Sequence, residues 1–294
     1  MNASREPHLP MRFQVRARPS TVRLLQASHP LPGAAVTVVA ALLSIGAGVR
    51  PLAAVGVTAT IAASQFAVGW ANDAIDAPRD ARVGRSDKPV ATGAVTRRAA
   101  GTAAVVAAAA CLALAVATAA GADRPWVFLV AWLGLGSALS YDWPLKSTVL
   151  SPLPYAVSFA CLPAFVVLVA GHSVPAWLVL AGGLLGFGAH FANVVPDMAD
   201  DEATGVRGLP HRLGADGALA VSAGALLAVT ALLIFGPPGP PRAFGAAAGA
   251  VAVVVLLLGA FVGRRSAARH WAFRGVIGVA LVDVALLIAG GALQ

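Results

Sequence analysis

Nine apolar runs, each close to the length of a membrane-crossing helix, constrain this chain more than any other feature of its sequence. They occupy approximately residues 32–49, 52–72, 99–120, 125–141, 150–170, 175–193, 215–236, 243–262 and 272–292. A bilayer core about 30 Å thick takes roughly 20 residues of helix. Hydrocarbon offers no partner to a backbone N–H or C=O, so a spanning segment must satisfy its own, as an α-helix does. Composition agrees: 58% of the 294 residues are hydrophobic and only 12% are charged, against about 25% charged in soluble domains. The expected fold is all-α: a polytopic membrane protein with nine transmembrane helices around a central cavity. Residues 1–25 read as a basic, flexible segment without a signal-peptide pattern, and residues 26–294 as a single transmembrane domain. Cys111 and Cys161 lie inside apolar runs and lack metal-ligand spacing.

The net charge of +8 would suggest nucleic acid in a soluble protein. Here the basic residues sit in short connections, so membrane topology accounts for them and no nucleic-acid partner is expected. With a cytoplasmic N-terminus and nine spans, 18 of the 21 Lys and Arg residues fall inside, leaving only Arg50, Arg124 and Arg242 outside. That follows the positive-inside rule and puts the C-terminus outside. The two longest internal connections, 73–98 and 194–214, also hold most of the acids.

These connections are related to each other. At an offset of 121 residues, Ala71, Asn72, Asp76, Asp80, Gly84, Pro89 and Gly93 fall on Ala192, Asn193, Asp197, Asp201, Gly205, Pro210 and Gly214. The offset spans four of the expected helices, an even number, so both segments emerge on one face and the internal repeat is parallel.

The chemistry follows from spacing. Asp76 and Asp80 are four residues apart, as are Asp197 and Asp201, which on a helix end places each pair on one face. Carboxylates held together repel unless a cation intervenes. Magnesium takes oxygen ligands, keeps several waters, and is commonly held by one or two carboxylates plus substrate phosphates. Arg79, Arg82, Arg85, Lys88, Lys146, Arg207 and Arg212 stand beside the acids, and such cations bind phosphate oxygens. Acids, bases and an apolar cavity behind them describe a site for a diphosphate with a greasy tail.

Asn72-Asp73-x-x-Asp76-x-x-x-Asp80 with Asp197-x-x-x-Asp201, on a chain of nine apolar runs, resembles the UbiA superfamily of intramembrane prenyltransferases from about His29 to Leu293. The resemblance implies Mg2+-dependent ionisation of an allylic prenyl diphosphate. An aromatic, quinone-precursor or other lipophilic acceptor then captures the carbocation. It implies that Asn72, Asp76, Asp80, Asp197 and Asp201 hold metal-bound diphosphate, with Asp73 an additional acid. Lys88 matches a diphosphate-binding basic position of the family. Tyr141 with Lys146 resembles the family's tyrosine followed by a basic residue, and the Tyr141 ring would stabilise cationic character. Arg79, Asn193 and Arg207 complete the expected substrate contacts. His29-Pro30 stands where many members have Arg-Pro, and Asp142 where a small residue is common.

Two other readings compete: a membrane terpene cyclase using the same diphosphate site without an acceptor, and a transporter or lipid-binding protein built on the repeat. No obligatory protein partner is expected. Trp70 reads equally as a tail wall or an interfacial anchor, and His190 as a cavity or packing residue. His211 reads as a diphosphate contact or a surface residue, and Asp283, inside the last run, as a cavity acid or a packed one.

Overall fold

The computed structural model describes residues 20–239 together with Gly278 and Val279. The eighth apolar run, the ninth apart from Gly278 and Val279, Asp283 and residues 1–19 lie outside the described residues. Within them the chain is all helical. Two short helices, α1 (Ser20–Gln26) and α8 (Met198–Ala203), accompany α2 (Pro30–Gly46), α3 (Pro51–Arg82), α4 (Arg97–Gly121), α5 (Phe128–Asp142), α6 (Pro152–Val169), α7 (Ala176–Val194) and α9 (Leu209–Phe235). The seven longer helices correspond to the first seven apolar runs. Among the described residues, five stretches are long and apolar enough to cross a membrane, and α1 with α2, bent by 68° between them, add a sixth if taken as one span.

α3 is the exception in length. Its 32 residues extend about 48 Å, well beyond a hydrocarbon core of about 30 Å. The connection expected from residue 73 onward is therefore helical as far as Arg82, and the first acidic motif rides on the overhanging turns. The second motif sits on a similar overhang. α7 passes through a 3-10 turn at Val195–Asp197 into α8, so the stretch Ala176–Ala203 covers 28 residues.

Prolines inside these helices are compensated locally. Pro78 in α3 has no N–H to give the carbonyl four residues back, and that carbonyl, of Ala74, instead accepts from Arg97 Nε at 2.8 Å. Arg97 opens α4, where Thr96 caps the helix by accepting from the Ala99 N–H. One bond thus ties α4 to the motif end of α3. Pro163 in α6 likewise deprives the Phe159 carbonyl of its donor, and Gly182 of α7 packs against that oxygen.

Helices pack as α2 on α3, α3 on α4, α5 on α6, α6 on α7 and α7 on α9. Small residues allow the closest approach, as is usual in lipid, where apolar burial alone does not draw helices together. A Cβ on Gly186 would stand 2.3 Å from the Tyr155 carbonyl oxygen, and one on Gly182 would stand 2.6 Å from that of Phe159. This Gly-x-x-x-Gly face seats α7 directly on α6 and sets how far apart the cavity walls stand. Gly186→Ala should therefore push α7 off α6 and cost about 1–3 kcal/mol. The check is a lower thermal midpoint of the detergent-solubilised protein, whereas Gly224→Ala, on an open face of α9, should leave the midpoint within experimental error.

Candidate active site

Among the described residues, α2, α3, α5, α6, α7 and α9 line a cavity of about 400 Å3. α4 contributes no lining residue and packs on the far side of α3. The walls are mainly apolar, while the acidic and basic lining residues gather at one mouth: Asp76, Asp80, Asp142, Asp197, Asp200 and Asp201, with Arg79, Arg85, Lys88 and Lys146. Both acidic motifs therefore open on the same cavity.

The acids are held in a dense network of cations. Asp76 receives Lys146 Nζ at 2.5 Å and Arg79 at 2.6 Å. Arg79 also lies 3.7 Å from Asp201, so one guanidinium touches both motifs. Arg85, in the loop after α3, reaches the second motif alone, at Asp197 at 2.9 Å and Asp200 at 3.7 Å. It also donates to Asp87, and these hydrogen bonds hold the Asp87 carboxyl below the usual carboxylate range. Asp80 makes no direct ion pair among the described residues. Asp73 points away from the mouth and is 1% exposed. There it accepts from Lys88 at 2.7 Å and lies 3.1 Å from His29 Nε2. Lys88, which does line the cavity, is thus fixed from behind by a buried carboxylate.

Both motif helices end in the same cap. Gly84 and Gly205 follow the C-caps of α3 and α8 at φ 73° and 86°, left-handed angles that favour glycine. In each case the carbonyl of the last motif aspartate accepts the N–H five residues on: Arg85 N to Asp80 O at 3.0 Å, and Val206 N to Asp201 O at 2.8 Å. That is the Schellman arrangement. It turns the chain sharply after the final acid and, in the first loop, delivers Arg85 back over the mouth. Gly93 and Gly214, the next pair of the offset, are also left-handed at φ 74° and 70°.

Of the residues expected from sequence, Asn72, Asp76, Asp80, Tyr141, Asn193, Asp197 and Asp201 line the cavity with Arg79, Lys88 and Lys146. Asp73 stands behind them, and Arg207 is exposed and is not among the lining residues. Trp70 is on the other side of α3, donating to the Leu24 carbonyl at 2.8 Å and tying α1 down. His190 is buried, bonded to Ser151 Oγ at 3.0 Å, and supports Tyr141 with its ring edge. The His211 side chain is 3% exposed and lies 3.4 Å from Asp201.

Several lining residues go beyond the expected metal and substrate ligands, among them Arg85, which the sequence places only with the bases beside the acids. Asp142 accepts from Asn72 Nδ2 at 2.8 Å, and the same amide nitrogen lies 3.2 Å from Asp76. With its amide hydrogens committed, Asn72 keeps its carbonyl oxygen for a cation. Tyr155 lines the cavity beside Tyr141, their rings edge to face at 5.0 Å, and receives a bond from Asn193 at 3.3 Å. His29, Arg85 and Asp200 also line it. Arg85 and Asp200 were visible as charges next to the motifs. Tyr155 carried no signal, because it lies in an unmarked apolar helix.

The sequence matches the UbiA prenyltransferase family over residues 34–281. The chain belongs to that family. No curated protein matches it. Among solved structures, a UbiA homologue from Aeropyrum pernix K1 in its apo form is 20% identical, with a TM-score of 0.68 over 93% of this chain and 99% of that one. A UbiA homologue from Archaeoglobus fulgidus bound to GPP and Mg2+ is 19% identical, with a TM-score of 0.67 over 92% and 98%. The same homologue bound to DMAPP and Mg2+ is 18% identical, with a TM-score of 0.68 over 92% and 97%. At these identities the likeness establishes a shared UbiA fold.

Within this UbiA-family site Asp73, the partner of Lys88, is the least exposed acid, at 1%. Removing the cation strands a buried carboxylate, which costs about 3–5 kcal/mol. Lys88→Met should therefore lower the thermal midpoint strongly. Lys88→Met combined with Asp73→Leu should recover most of the loss, and a double-mutant cycle on the purified protein reads the coupling directly.

Proposed function

We propose that this protein transfers a prenyl group from an allylic prenyl diphosphate to a lipophilic or aromatic acceptor, with Mg2+ as cofactor. One observation carries the reading: six aspartates and four cations converge on the mouth of an apolar cavity. The bound GPP, DMAPP and Mg2+ of the Archaeoglobus fulgidus homologue support it.

The donor set fits magnesium. Its atoms are carboxylate and amide oxygens, the ligands of a hard cation. Among the described residues no three acidic, His or Cys residues are grouped closely enough to hold an ion by themselves. That suits an ion whose shell is completed by water and phosphate oxygens rather than by a protein cage. Asn72, Asp76, Asp80, Asp197 and Asp201 would hold it. Bound there, magnesium would neutralise the charge that develops on the departing diphosphate.

The chain's own groups do the rest. Arg79, Arg85, Lys88 and Lys146 bind diphosphate oxygens by charge-assisted hydrogen bonds. To do so they exchange carboxylate partners for phosphate, so the acids and the bases of the network are released together. Asp73 holds Lys88 at the mouth, and Asp142 orients Asn72. Tyr141 and Tyr155 stand just inside, with Lys146 Nζ 5.7 Å from the Tyr141 ring centre. Their rings offer a negative face to the allylic carbon as it gains cationic character. The apolar wall below takes the tail and keeps water from capturing that carbon.

Nine spans, a parallel repeat and a cytoplasmic mouth belong to the same proposal. The matched caps after Asp80 and Asp201, with glycine pairs of like backbone angle, support the repeat. The Lys and Arg distribution supports the orientation.

Purified protein in detergent, given an allylic diphosphate, acceptor and magnesium, should release diphosphate. Chelation should stop release, and Asp76→Ala or Asp197→Ala should reduce it by at least about 100-fold, as loss of a charge-stabilising group does. Full activity in either variant would sink the site assignment. Mass spectrometry of products formed without acceptor separates transfer from cyclisation, since a cyclase alone yields a hydrocarbon.

A further inference from the structure

His29 lines the cavity at the start of α2, in contact with Lys88 but outside the group that binds metal and diphosphate. The bend between α1 and α2 is pinned to α3 on both sides of it. Trp70 donates to the Leu24 carbonyl. Gly69, one turn before Asp73, admits Ser28, since a Cβ there would stand 2.3 Å from the Ser28 carbonyl oxygen. His29 itself takes a left-handed backbone, φ 54° and ψ 61°, which is uncommon outside glycine. It is the N-cap of α2, yet its side chain makes no capping bond. The ring is used across the helix pair instead, with Nε2 3.1 Å from Asp73 Oδ1.

That contact decides which ring nitrogen carries the proton. A bare Nε2 would turn its lone pair on the Asp73 carboxylate, whereas an Nε2–H makes a hydrogen bond of the same contact. Lys88 Nζ also lies 3.1 Å from Nε2, but its shorter bond, 2.7 Å, goes to Asp73. With the proton on Nε2, Nδ1 keeps its lone pair. Nδ1 has no partner among the described residues and is accessible, on a side chain that is 39% exposed. The charged contacts of the ring are Asp73 and Lys88. α2 holds no charged residue, and α1 only Arg23. The charge of Asp73 is met by Lys88, so its bond to His29 sets orientation and tautomer, as a carboxylate behind a catalytic imidazole does.

We propose that His29 is the catalytic base of the transfer, its Nδ1 taking the proton of a hydroxyl-bearing acceptor, a phenol or an alcohol. The inference rests on the prenyl-transfer reading of the site and adds to it the proton's destination and the acceptor's chemical class. As the allylic C–O bond breaks, its electron pair leaves with the diphosphate. The acceptor oxygen bonds to the allylic carbon, and its proton passes to Nδ1 and later to water. An oxygen alkylated while it still holds its proton is a strong acid, and the apolar walls offer nothing to receive that proton. A carboxylate-bearing acceptor would instead call for a cation beside it, and Lys88, the cation in contact with His29, is committed to Asp73.

Two measurements test the base and the transfer separately. In the first, the detergent-purified protein is given GPP and magnesium with alkylphenols or long-chain alcohols, and diphosphate release and prenylated product are both followed. His29→Gly suits a backbone at φ 54°, which glycine takes freely, and leaves Asp73 its bond to Lys88. Prenylation of the hydroxyl should fall at least about 100-fold in this variant, and added imidazole should restore at least about tenfold of it. In the unaltered protein the rate should rise with pH along a limb that the variant lacks. If His29→Gly is not monodisperse, His29→Gln, which can still donate to Asp73, reads the loss and the pH limb. Full prenylation by the variant, or a loss that imidazole does not repair in His29→Gly, would overturn the base. Diphosphate release by the unaltered protein without any prenylated hydroxyl would overturn the acceptor class and the base together. No release under any condition would sink the prenyl-transfer reading itself. In the second measurement, NMR of isotope-labelled histidine in the unliganded protein reads the tautomer, with His29 assigned by its loss in the variant. A proton on Nε2 and a bare Nδ1 are expected, and a proton on Nδ1 alone would overturn the inference whatever the reaction proves to be.

Discussion

Carboxylates gathered at the edge of an apolar cavity are the constraint on which the rest of this structure depends. Unpaired, they would repel one another and resist leaving water. Here Asp76 is met by Arg79 and Lys146, Asp197 by Arg85, and Asp73 by Lys88. The cations come from different parts of the chain, so neutralising the acids also assembles the site. Arg79 and Arg85 each touch the second motif from the first. Lys146 joins the loop after α5 to α3. The arrangement is weak evidence for stability, because buried pairs regain little beyond their desolvation cost. Its significance is that the groups needed for a metal and a diphosphate are already within reach of one another.

Placement of those groups depends on helices that overrun the bilayer. α3 and the α7–α8 stretch carry polar turns past the length a span requires. Both are stopped by the same glycine cap immediately after the last aspartate. Stopping there brings Arg85 back across the mouth. The missing hydrogen bond at Pro78 is used as well, since Arg97 anchors α4 through the carbonyl left open. Below the mouth, Gly182 and Gly186 hold α6 and α7 close. The same walls that space the acids therefore also shape the apolar cavity.

The readable part of this site was the part carried by local spacing. Asp76 with Asp80, and Asp197 with Asp201, declare themselves through a four-residue interval on a helix, and the offset of 121 residues relates the pairs. All four line one cavity. What spacing could not give was the partner of each charge. Asp142 follows Tyr141 without apparent reason in the sequence, yet it receives Asn72 from α3. Arg207 stands as near the second motif as many bases do, yet its side chain is exposed. Trp70 lies two residues from Asn72 but on the opposite side of α3, because two steps along a helix turn a side chain about 200°.

Sequence by itself determined that this chain is helical and membrane-embedded, and that its chemistry is acidic, paired and concentrated between particular apolar runs. Those properties follow from composition, run length and residue intervals, which act over a few turns of one helix. Tertiary structure alone decided that the motifs share a cavity, and that Asp73 faces inward to hold Lys88. It alone decided that Tyr155 stands beside Tyr141. Each of these depends on the angle and separation at which different helices meet. Contacts between side chains of distant residues set that geometry, and no periodicity along one segment records it.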